Sequence, residues 1–154
     1  MCPAGGLVSR KESTMYANEL AQFISDANQK ARPRVKKFAP HLLKPLAKAY
    51  DLAFNDHVIL YPPSQLHPDW IAGVYSQNTA VAEQYIIRRD ENGRFSCTCP
   101  SFAKEQYEYH GRTICKHTMA VHLIIQAHEA QARMDPDSLS IPAQIVAARQ
   151  LAAA

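Results

Sequence analysis

The chain has 154 residues, enough for one compact core or for a small domain with appendages. Its composition, 47% hydrophobic and 20% charged, is that of an ordinary soluble globular protein, and its formal charge of +3 is too mild to point to nucleic acid by itself. No stretch reaches the roughly 18 consecutive apolar residues of a membrane helix, and the first residues lack the basic and apolar regions of a secretory signal. The expectation is therefore an intracellular protein, cytoplasmic or nuclear, with no membrane partner and with reduced thiols.

Residues 1–8, with Cys2 among glycine and proline, read as a disordered tail. Ser9 and Glu12 have capping-box spacing, and Tyr16, Leu20, Phe23, Ile24 and Ala27 then recur at helical intervals. Pro33 is expected to end this helix. A second helix is expected over 40–54, with Leu42, Leu43, Leu46, Ala49, Tyr50 and Ala53 as its apolar face and its start blurred by Pro40 and Pro45, since proline fits without a kink only in a first turn. Lys30, Arg32, Arg34, Lys36, Lys37, Lys44 and Lys48 fall in the window 27–50, which holds no acidic residue. That window carries +7 and leaves the rest of the chain at about −4. On this reading the cations occupy the link between the helices and the polar face of the second.

Residues 58–61 read as a short strand, 62–69 as a proline-rich loop and 70–75 as a second strand. A turn is expected at 76–78 and a strand over 80–89, with Val81, Tyr85 and Ile87 on one side. Asp90-Glu91-Asn92-Gly93 is a strong turn signal, because Asn-Gly reaches positive φ cheaply, and 94–97 is the returning strand. A short helical turn is expected after Pro100, a loop over 107–112 and a long helix over 115–133, with Met119, Ala120, Leu123, Ile124 and Ala127 inward. Beyond a linker, 142–153 reads as an alanine-rich helix. The organisation is tail (1–8), helical region with the basic window (9–56), hairpin, finger and long helix (57–133), then linker and terminal helix (134–154).

Three of the four cysteines cluster as Cys97-Thr98-Cys99 and, fifteen residues on, Cys115-Lys116-His117. Three thiolates and an imidazole close a tetrahedral zinc site. Residues i and i+2 of a strand point the same way, so Cys97 and Cys99 can share an ion. Two residues apart in a helix diverge by about 200°, so Cys115 must lie just before the long helix and His117 in its first turn. Three thiolates, a neutral imidazole and Zn²⁺ sum to −1, which Arg112 and Lys116 are placed to offset.

Phe95-Ser96-Cys97-Thr98-Cys99-Pro100-Ser101-Phe102 and Cys115-Lys116-His117-Thr118-Met119-Ala120-Val121 together resemble a SWIM-type zinc finger, whose pattern is C-x-C, a spacer and C-x-H. The resemblance covers residues 74–127. It implies a ββα finger with one structural Zn²⁺ on Cys97, Cys99, Cys115 and His117, and a role in binding DNA or protein without catalysis. Family members occur beside ATPases, transposases and recombination proteins. The fold expected is α+β: a small ββα finger with a preceding β-segment, N-terminal helices and a C-terminal alanine-rich helix.

Unliganded thiols, a rival ligand pair of His117 with His122, and a catalytic zinc are the weaker readings. A catalytic zinc needs an open position that four protein ligands deny. Phe95 and Phe102 are expected in the core; Tyr107 and Tyr109 are balanced between core and stacking on bases. The leading expectation is a non-enzymatic nucleic-acid-binding module. Its phosphate contacts would come from Lys30, Arg32, Arg34, Lys36, Lys37, Lys44, Lys48, Arg88, Arg89, Arg94, Arg112 and Lys116, with no small-molecule substrate. The alternative is an adaptor docking a larger ATPase, transposase or recombination protein.

Overall fold

The computed structural model describes residues 10–75 and 83–134, with side chains described from Leu20 onward. The expected tail, the turn at 76–78, the start of the strand at 80–82, and the linker and terminal helix lie outside the described residues. The architecture is α+β. Helix α1 (Arg10–Phe38) is followed by a 3₁₀ turn (Pro40–Leu42), helix α2 (Leu43–Phe54) and strands β1 (Val58–Leu60), β2 (Trp70–Tyr75), β3 (Gln84–Arg89) and β4 (Phe95–Cys97). A short helix α3 (Pro100–Ala103), strands β5 (Tyr107–Tyr109) and β6 (Arg112–Ile114), and helix α4 (Lys116–Met134) complete it.

Strands β1 to β4 form an antiparallel sheet in sequence order, with Ala72 opposite Ile87 and Ile87 opposite Cys97. Helix α4 packs against this sheet and against both α1 and α2. Its buried residues, among them Ala120, Val121, Leu123, Ile124 and Ile125, cover more than half of its circumference, a wider stripe than a surface helix shows, and leave Gln126 exposed on the remaining face. One apolar core runs from Ile24 and Ala27 of α1 through Leu46, Ala49 and Leu52 of α2 to Val74 and Ile87 of the sheet. Phe95 and Phe102 pack against it, as expected.

Two expectations are overturned. Pro33 does not end the first helix, which continues to Phe38. A proline in a helix interior removes one hydrogen bond and costs about 3 kcal/mol. Here Ala31 and Val35 on either side of it pack on the core, while Pro33 and Gln29, whose carbonyl loses its partner, face solvent. Apolar burial along the continued helix outweighs the defect. The cations from Lys30 to Lys37 therefore ride on a helix and not on a link. The second correction concerns 107–112, which is a β-hairpin: Tyr107 pairs with Ile114 and Tyr109 with Arg112. Its two-residue turn places His110 and Gly111 at φ of 51° and 71°, the geometry that suits the strand twist.

Candidate metal centre

The Asp90–Gly93 turn sets the first half of the site. Asp90 Oδ1 accepts hydrogen bonds from the backbone N–H of Asn92 and of Arg94, and Gly93 supplies φ of 75°. The register that follows puts Cys97 opposite Ile87. Thr98 prolongs the ladder by one step: its N–H donates to Ile86 O, and its hydroxyl accepts from Ile86 N–H at 3.0 Å. Cys97 and Cys99 are thereby held on the same side of an extended strand. Cys99 then becomes the N-cap of α3, with Pro100 in the first position and the Phe102 N–H donating to Cys99 Sγ at 3.4 Å.

The second half of the site is the start of α4. Cys115 precedes the helix, and the first intrahelical bond runs from Met119 N–H to Cys115 O. Thr118 and Cys115 cap each other: Thr118 N–H donates to Cys115 Sγ at 3.4 Å, and Cys115 N–H donates to Thr118 Oγ1 at 3.0 Å. The Thr118 hydroxyl proton goes to Cys115 O. This is capping-box logic with a sulfur in place of the usual oxygen. Both Cys99 and Cys115 thus receive a backbone N–H at a helix N-terminus, where negative charge is favoured.

The four donor atoms lie within 4.8 Å of one another, and all four residues are buried. His117 Nδ1 lies 3.8 Å from Cys97 Sγ and 3.9 Å from Cys115 Sγ. Zinc bonds of about 2.3 Å to sulfur and about 2.0 Å to nitrogen set tetrahedral S–N edges of roughly 3.6 Å. The cluster therefore has the size, donor set and burial of a site that can hold a metal ion, and zinc suits it best. The cysteines are free thiols. Without a cation they share hydrogen bonds unequally. The Cys115 and Cys97 thiols hold Cys99 well below the usual thiol range, whereas bonding to Cys115 and Cys99, with burial, pushes Cys97 well above it. For Cys115, lowering by Cys97 is outweighed by Cys99 and burial, which push it up to about 11. A divalent cation removes this competition by letting all three ionise.

The rival pair of histidines is not formed. The His122 ring stacks on Phe95 with centroids 4.4 Å apart, whereas His117 lies against Tyr85 at 4.7 Å. His122 belongs to no metal-binding group among the described residues.

The basic candidates separate into groups. Lys44, Lys48 and Lys116 line one small cleft, and Arg34 and Arg112 line a second. Lys30 shares a groove with Asp26 and Glu129, which Arg34 also lines, and Arg32 one with Asp51. Lys36 is exposed, and Lys37 lies over the Phe38 ring. Arg88 pairs with Asp69 at 3.8 Å and lies over Trp70. Arg94 is exposed at the hairpin, and Arg89 is half-buried. Tyr107 lines the first cleft and Tyr109 the second.

Sequence reasoning missed the capping roles of Cys99, Cys115 and Thr118, although Cys-Pro and a threonine three residues after a cysteine carry that signal. It also missed His128, whose Nδ1 is buried without a hydrogen-bond partner among the described residues.

Fold and site together define an α+β protein built around a buried Cys₃His cluster able to bind a metal. No family model, curated protein or solved structure matches the chain. Among the described residues no helix is long and apolar enough to cross a membrane.

Proposed function

We propose that this chain is a non-catalytic SWIM-type zinc module that binds nucleic acid through its phosphates, with zinc as a structural staple. The observation that carries the reading is the grouping of cations around the finger. Lysines from α2 join the lysine between two metal ligands, and an arginine from α1 joins one from β6. Hairpin β5–β6 contributes a tyrosine to each of these clefts. The only ion pair among the described side chains is Arg88–Asp69, so none of these five cations is in one there. The ββα order of β3, β4 and α4 and the Cys-Thr-Cys-Pro and Cys-Lys-His motifs support the family reading.

Phosphate contacts fix position without reading bases, so binding is expected to be weak and steeply dependent on salt. Fluorescence anisotropy of a labelled duplex between 50 and 200 mM salt tests this. Affinity that does not change over that range contradicts the proposal.

An adaptor role draws on the apolar lining of the second of these clefts. The cleft with Arg34 and Arg112 has a volume of about 350 Å³ and an apolar floor of Val35, Leu42, Met119 and Leu123. Apolar lining between two cations suits a peptide with aliphatic and acidic side chains. Loss of duplex binding in Arg34→Glu/Arg112→Glu favours the nucleic-acid reading over this one. Unchanged duplex binding in that variant, with loss of a captured protein partner, favours the adaptor.

A further inference from the structure

The cleft between α2 and the start of α4 is small, about 180 Å³, below the usual range for drug-sized ligands. Its lining is a set of anion ligands: Lys44 and Lys48 from one face of α2, Lys116 at the first position of α4, and Ser101, Gln106 and Tyr107 from the segment between the metal-ligand pairs. No carboxylate lines it, and none of the three ammoniums has an ion-pair partner among the described residues.

The neutral groups are wired in one direction. Ser101 Oγ donates to Gln106 Oε1 at 2.9 Å, and Gln106 Nε2 donates to Tyr107 OH at 3.4 Å. The tyrosine oxygen thus accepts a hydrogen bond, and its own proton is left to donate into the cleft. Three like charges side by side repel one another, and an anion among them relieves that repulsion. They also outweigh the single net negative charge that a zinc-filled cluster would place next to Lys116.

We infer that Lys44, Lys48, Lys116 and Tyr107 form a binding site for one phosphate group, occupied by a backbone phosphate of the nucleic acid in the function proposed above. The inference rests on that reading only for the source of the phosphate. Lysine ammoniums act as point charges and suit a tetrahedral oxyanion. The other basic residues then supply general attraction, while this cleft fixes where the backbone sits.

The test uses the full zinc-loaded chain. Lys44→Gln/Lys48→Gln/Lys116→Gln and a control, Arg32→Gln/Lys36→Gln/Lys37→Gln, remove equal charge, and duplex affinity is compared at one salt concentration. The cleft variant is expected to lose at least tenfold more affinity than the control. Equal losses overturn the inference and leave the general reading standing. Because Lys116 lies between two metal ligands, zinc content is measured on each variant. Lys44→Gln/Lys48→Gln, which leaves Lys116 and the four metal-donor residues unchanged, repeats the comparison and is expected to lose affinity in the same sense. A separate arm titrates inorganic phosphate and follows amide shifts by NMR. Saturable shifts at Lys116 and Tyr107, lost in Lys44→Gln/Lys48→Gln, support the site even if no duplex binds, and then identify free phosphate as its ligand. Absence of saturable shifts overturns it.

Discussion

Helix α2 and the finger segment hold their shapes by different means. In its 12 residues α2 buries Pro45, Leu46, Ala49, Leu52 and Ala53. Each fully buried leucine contributes about 1.5–3 kcal/mol. Between Phe95 and Ile114, by contrast, the only buried residues are Cys97 and Cys99. Phe95 and Phe102 lean on the core, but the short helix and second hairpin enclose no apolar interior of their own. Apolar area orders one region, and in the other the buried groups are donors of a cluster that can hold a metal.

The sharpest way to break that comparison is to remove a ligand. Cys115 is fully buried and has two parts, one in the cluster that can hold a metal and one as the N-cap of α4. Structural zinc in small fingers supplies roughly 10–16 kcal/mol, so Cys115→Ser is expected to release the metal and melt 95–114. Elemental analysis should find about one zinc per chain in the wild type and none in the variant. Hydrogen exchange should lose protection across the finger and keep it in α2. Loss of protection in α2 to the same extent would show that the metal orders the whole molecule, and equal zinc in both proteins would remove Cys115 from the ligand set.

A smaller effect is expected on α4, the element that both regions share. Burial, only partly offset by the Gln131 side chain, lowers the pKa of His128 to about 4. Above pH 6.5 the histidine is neutral whether folded or unfolded and contributes no pH dependence. Below it the unfolded chain takes up a proton that the folded chain refuses, so stability falls as pH drops from 6.5 towards 4 and then levels off. The loss is about 3 kcal/mol. Thiolate protonation acts in the same direction, so the quantity to measure is the difference between the wild type and His128→Leu in denaturant titrations at each pH. That difference should change by about 3 kcal/mol across the window, and a constant difference would rule out His128 as the cause.

What could be read from the chain follows the range of the forces involved. The ligand cluster was legible because its geometry depends on neighbours one or two residues apart: C-x-C on a strand and C-x-H at a helix start. Strand β2, the Asp90–Gly93 turn and the end of α2 were legible for the same reason, through local periodicity and turn chemistry. Pro33 misled because its effect is decided by whether Ala31 and Val35 find a core, which is a tertiary matter. The 107–112 hairpin was missed because it is short, although Gly111 and the spaced tyrosines pointed to it. The cleft of Lys44, Lys48 and Lys116 joins residues far apart in sequence, and no local pattern records that meeting.

The finest discrimination concerns how the finger keeps its donors in place before any metal arrives. Thr118 Oγ1 satisfies Cys115 N–H and donates to Cys115 O, both in a buried setting. Thr118→Val keeps the shape and removes the hydroxyl, leaving a buried N–H without a partner. The expected cost is about 1–2 kcal/mol in the zinc-loaded protein, with stoichiometry unchanged at one zinc per chain. Thr118→Ser retains the hydroxyl and should stay close to the wild type. Competition with a chelator should show weaker zinc retention in the valine variant, since a preformed cap lowers the ordering that metal binding must supply. If valine and serine retain zinc equally well, the mutual cap of Cys115 and Thr118 is a consequence of the helix start and plays no part in preparing the site.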